Sequence, residues 1–185
     1  MEMYYRRRRF AAALGAALAA LAAIGVAIYL GGVAVAVPIA GIGDFHVNAD
    51  QVRLQGFVLT PRIGDNSSSN VSPETRVQAQ HAEVDGLVLY KDIPTPYKTL
   101  RVEITASGTV KINGLIQDIT QQSASSASFN QLEIDEAPPS KRSSWEQSFY
   151  QLAPSVTLNN FRSKDDYQFA NTITLPGLKV SARFL

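Results

Sequence analysis

No cysteine occurs among the 185 residues, which excludes disulfides, thiolate nucleophiles and cysteine-ligated zinc together. Stability must then come from packing alone. Histidine is scarce too, so His46 and His81 are the two side chains able to act as a base near neutral pH. Neither stands at metal-ligand spacing from another donor, and no Gly-x-Ser-x-Gly elbow of a hydrolase appears anywhere. A triad drawn from these histidines, Asp50 or Asp85 and any of many serines would reflect composition rather than a motif. The chain therefore reads as no enzyme, without cofactor or metal, an esterase being the remote alternative. Basic charge is also missing from most of the chain. Of a net charge of +1, four arginines sit together at Arg6 to Arg9 and the remainder is slightly acidic, so no nucleic-acid partner is expected.

Charge of either sign is absent from Phe10 to Gly43, a run dominated by Ala, Leu, Ile, Val and Gly. A bilayer core of about 30 Å needs roughly 20 apolar residues in a helix, and Phe10 to Leu30 supplies them before Gly31-Gly32. The organisation predicted is a basic cytoplasmic stretch at 1–9, a transmembrane helix or signal anchor at 10–37, and an extracytoplasmic domain at 38–185. Cleavage is the competing reading, because Ala34-Val35-Ala36 has the small-x-small pattern of a signal-peptidase site and would release a secreted domain. The apolar run exceeds the usual signal length of about 7 to 15 residues, which favours the anchor. Arg7-Arg8-Arg9-Phe10 also matches twin-arginine spacing, a pattern any arginine cluster before Phe would give.

Past the leader one motif recurs. It reads Val52-Arg53-Leu54-Gln55-Gly56-Phe57-Val58-Leu59, then Ala82-Glu83-Val84-Asp85-Gly86-Leu87-Val88-Leu89, then Val110-Lys111-Ile112-Asn113-Gly114-Leu115. Weaker copies pivot on Gln131, Asn160 and Gly177. Apolar residues stand four and two before each pivot, and one and usually three after it. Alanine lies seven before the pivot at Ala49, Ala79, Ala124, Ala153 and Ala170, with Ser107 in the remaining copy. Alternation with period two marks a strand with one buried face, yet the phase slips by one at each pivot. An unbroken strand would then turn its later apolar side chains to solvent. A β-bulge or a corner restores them, and glycine or asparagine tolerates the backbone angles this needs. Gly56, Gly86, Gly114 and Gly177 are thus structural pivots of bent strands around one core.

The pivots are unevenly spaced, which excludes a strict solenoid. The expected fold is all-β: bent strands in an antiparallel sandwich or open groove, with return strands such as Leu100 to Thr105, an irregular β-helix being the alternative. Gly64 to Pro73 reads as a loop, and Ala137-Pro138-Pro139-Ser140 as a break. Trp145, Phe149 and Leu152 fall at helical spacing and allow a short capping helix over 143–152. Asp165-Asp166 falls in a polar stretch read as a solvated turn. Asn66-Ser67-Ser68 and Asn70-Val71-Ser72 are acceptor patterns for N-glycosylation at Asn66 and Asn70 if the loop is exported; an unmodified polar loop is the plainer reading.

The chain resembles the DUF6230 family, a domain of unknown function from actinomycetes and halophilic archaea. The resemblance lies in the apolar leader, in Phe45-x-Val47-x-Ala49-Asp50, in Gly56-Phe57 and in Ala170-Asn171-Thr172-Ile173-x-Leu175-x-Gly177-Leu178, and spans most of 38–185. These are packing and turn residues. Some members bear a cholesterol esterase label, which the missing nucleophile elbow here does not support.

Two functions are compatible with this pattern. One is a non-enzymatic single-pass envelope protein, held in the lipid bilayer and presenting its β-domain to other envelope components. The other is a carrier of an apolar ligand or lipid, because bent alternating strands can leave a groove lined by Leu, Ile, Val and Phe.

Overall fold

The computed structural model describes residues 44–66 and 69–185, and side chains throughout these apart from 65, 66, 69 and 70. The basic stretch and the transmembrane helix expected at 1–37 lie outside them. Among the described residues no helix is long and apolar enough to cross a membrane.

Alternating sequence becomes strand almost everywhere. In chain order these are β1 (Phe45–Asn66), β2 (Ser69–Asp85), β3 (Val88–Pro94), β4 (Thr99–Thr105), β5 (Val110–Ser123), β6 (Ser126–Asn130), β7 (Glu133–Asp135), β8 (Tyr150–Thr174) and β9 (Lys179–Phe184). They form one sheet in the order β6-β8-β5-β2-β1-β3-β4-β9, with β7 beside β8 and a further pairing of β8 with β1. Every pairing is antiparallel. A β-helix stacks parallel rungs, so that alternative does not describe the chain, and a continuous sheet replaces the two facing sheets of a sandwich.

Strand β8 closes the arrangement. Its first part pairs with β1 from Gln151 to Asp165, and its last part pairs with β5 from Arg162 to Thr174. Because β1 also pairs with β2, and β2 with β5, the four strands form a closed circuit. Strands β3, β4 and β9 extend from it as a wing in which Leu89, Ile104 and Val180 are cross-strand partners.

All six pivots have left-handed backbone: φ is 64° at Gly56, 67° at Gly86, 62° at Gly114, 50° at Gln131, 49° at Asn160 and 62° at Gly177. They are corners rather than bulges. Gln55 pairs with His81 and Val58 with Gln78, so the register is the same on both sides of Gly56. A bulge would shift it by one residue. Register is kept because the neighbouring strand slips its own phase at the facing position, six residues before that strand's own pivot. Thus β3 continues β2 past Gly86, Val52 pairing with Val84 and Val47 with Leu89, while Asp50 of β1 faces Gly86. A β-carbon at Gly86 would collide with the Asp50 carboxylate, so glycine is needed there for space as well as for its backbone angle.

The buried residues Val47, Ala49, Val52, Leu54 and Phe57 of β1 show the phase change on both sides of Asp50 and of Gly56. With Val77, Ala79, Ala82 and Val84 of β2, Ile112, Leu115 and Ile119 of β5, and Val156, Leu158 and Phe161 of β8, they make one core inside the circuit.

Four stretches depart from the sequence reading. The apolar positions about Gln131, which are Ala127, Phe129, Leu132 and Ile134, are exposed rather than turned to the core. β1 runs to Asn66, which pairs with Ser69 at the head of β2, so strand covers most of the segment read as a loop. Pairing uses backbone N–H and C=O, which Ser and Asn supply as well as Val. Trp145–Ser148 is a single 3-10 turn, not a capping helix, because Tyr150 to Leu152 pair with β7 instead. Asp165 lies within β8, fully buried, where a solvated turn was expected. Its run alternates, Ser163 and Asp165 facing in and exposed Arg162 facing out.

Candidate functional site

An apolar groove of about 310 Å³ opens between the circuit and the wing. Its walls are the inward positions of the motif: Val52 and Val84 before their pivots, Leu87 and Leu115 just after, Leu89 and Val180 three after. Ala170, at the small position of the last copy, leaves room where a larger residue would fill the space. The groove is open near β9, where Leu178 and Val180 are 51% and 61% exposed.

The other end is polar. Gln117 of β5 and Gln168 of β8 are cross-strand partners and both line the groove. Gln117 Nε2 donates to Asp165 Oδ2 at 2.8 Å. Asp165 is 0% exposed, and its remaining oxygen, Oδ1, has no hydrogen-bond partner; neither have Ser163 Oγ and Gln168 Oε1, both fully buried atoms. Burial pushes the Asp165 carboxyl up to about 7, aided by the charges of Asp166 and Asp118 and opposed by Ser163 and Gln117. The Ser163 hydroxyl is close enough to act on this charge without reaching hydrogen-bond geometry. Buried polar atoms are almost always paired, so three unpaired oxygens at and behind Gln117 and Gln168 set this end apart from the apolar walls.

None of these four residues was singled out by sequence reasoning except Asp165, and that as a surface turn. A signal exists nevertheless. Three residues after the pivot the copies carry Leu59, Leu89, Ile134 and Val180, and the two exceptions are Gln117 and Ser163.

The other candidates are scattered. His46 stacks on Tyr90 with ring centroids 4.8 Å apart, and Arg101 lies over the same ring at 4.0 Å. His81 Nδ1 stands 2.7 Å from Asn113 Oδ1 on an exposed face, beside a shallow polar depression shared with Arg53, Glu83 and Lys111. The hydrogen bonds of the described residues bring no serine hydroxyl to either ring. Among the described residues no group of three or more His, Cys, Asp or Glu could hold a metal ion. Asn66 ends β1 and Asn70 lies near the start of β2, at the tip of that hairpin.

A family model described as a family of unknown function, DUF6230, matches residues 42–183. The chain belongs to the DUF6230 family. The matched span takes in β1 to β8 and nearly all of β9, so the groove and its polar end are features of the DUF6230 region itself. No curated protein and no solved structure gives a significant match.

Proposed function

We propose that this DUF6230 domain is a non-enzymatic binder of an apolar or amphipathic small molecule, held at the outer face of a membrane by the apolar segment before it. The groove carries the reading. Its volume falls at the lower end of the range for small-molecule sites, its walls are apolar and a few polar groups converge at one end. A fully packed interior would instead have favoured a module acting by surface shape alone. The arginine cluster before the uncharged run supports an outward-facing domain, since positive residues stay on the cytoplasmic side.

The test is to fill the groove. The purified full chain is expected to bind an uncharged solvatochromic dye such as Nile red saturably, and Ala170→Phe to abolish that component while leaving the urea unfolding midpoint unchanged or raised. Equal saturable binding by the filled variant would overturn the reading.

A further inference from the structure

The polar end of the groove says what kind of head its occupant carries. Gln168 Oε1 is a buried carbonyl oxygen that can only accept a hydrogen bond, and it lacks a donor. Gln117 beside it is held from behind by Asp165, and the amide pair presents a neutral polar surface to the groove. Among the residues lining the groove none is charged. An anionic head would lose its hydration there without meeting a cation. An ammonium head would find acceptors, but Asp165 lies behind Gln117 rather than in the lining, in surroundings that favour its neutral form.

We infer that the groove receives an amphiphile whose polar end is an uncharged hydroxyl, a long-chain alcohol in the broad chemical sense, with its hydroxyl hydrogen-bonded to the amide pair of Gln117 and Gln168 and its hydrocarbon along Leu115, Ile112, Leu87 and Val180. This rests on the groove being a ligand site. A hydroxyl suits the place because it can both donate to and accept from an amide without bringing a charge into an apolar interior. Gln117 and Gln168 also give the site a direction: the head enters first and the tail trails toward the exposed residues Leu178 and Val180.

The experiment uses the full chain and hexadecyl photoprobes with a mid-chain diazirine, ending in a hydroxyl, a carboxylate, an ammonium or a methyl group. Labelled peptides are mapped by mass spectrometry. The hydroxyl probe is expected to label the segments carrying Leu87, Leu115 and Val180 about tenfold more than the carboxylate or ammonium probe, and about fivefold more than the methyl probe. Gln168→Leu should bring the hydroxyl probe down to the level of the methyl probe without lowering the latter. Equal labelling by hydroxyl and methyl probes in the unaltered chain, or preference for a charged head, overturns the head-group assignment and leaves the groove as a ligand site. No labelling of these segments by any probe overturns both. The comparison of heads in the unaltered chain stands whether or not the variant folds.

Discussion

Asp165 is where the chemistry of a single residue can be followed furthest. An unfolded aspartate releases its proton near 3.8, whereas folded Asp165 holds its proton up to about 7, chiefly because burial penalises the charge. Between those values the folded state binds more protons than the unfolded, so this residue makes stability fall as pH rises across that window and adds no further slope above it. Asp165→Asn keeps the shape and an acceptor for Gln117 while removing the titration. The variant is expected to match the parent near pH 4 and to exceed it by up to about 4 kcal/mol above pH 7, read from urea unfolding at a series of pH values. Parallel profiles for the two proteins would show that the carboxyl is not held neutral by the fold.

At the scale of the element, the kinked strand is the unit, and it works as a pair. A left-handed residue in one strand faces a polar residue in the next: Gly86 faces Asp50, Gly56 faces Gln80 and Gly114 faces Asn171. Gly86→Ala is expected to cost about 2 kcal/mol from the left-handed backbone alone, and more from the collision with Asp50. Adding Asp50→Ala should recover the collision part and not the backbone part, a split that a double-mutant cycle measures. Non-additivity near zero would mean that the two residues do not meet. The same strands carry a second tie on another face. Arg76 binds Asp118 through Nε and Nη2 at 2.7 and 2.8 Å, and Arg62 Nη1 reaches Asp118 Oδ2 at 2.9 Å, linking β1, β2 and β5 around an acid with 2% of its side chain exposed. Much of this scale was legible beforehand. The slip of alternation located every position with left-handed backbone in the repeats, because side-chain direction along a strand is a local property of the chain. Bulge and corner could not be told apart, since the difference lies in the register of the neighbouring strand.

For the whole molecule, the closed circuit and the wing have different duties. The circuit of β1, β2, β5 and β8 encloses the core, while β9 pairs with β4 alone and supplies Val180 to the groove mouth. A chain ending after Thr174 is therefore expected to keep its β-sheet circular dichroism and a cooperative unfolding transition while losing most saturable apolar binding. Retained binding would place the ligand elsewhere in the sheet. The wing also explains exposed apolar residues that look misplaced in a soluble surface. Leu178, Val180 and Phe184 sit on or beside the last strand, and the first two border the groove.

The sequence by itself determined that the domain is all-β, that its strands bend at six named residues and that one apolar face lies inward along most of them, the copy about Gln131 being exposed. Those follow from sterics acting over a few neighbouring residues: period-two alternation sets the face, and a positive backbone angle resets it. Only the tertiary structure decided that β8 would join β1 with one half and β5 with the other, bringing Ser163 and Asp165 beside Gln117. Residues so far apart in the chain meet through strand register, which is chosen by burial and pairing summed over the entire sheet. No local pattern carries that sum, and so a run that looked like a solvated turn became a polar place in an apolar interior.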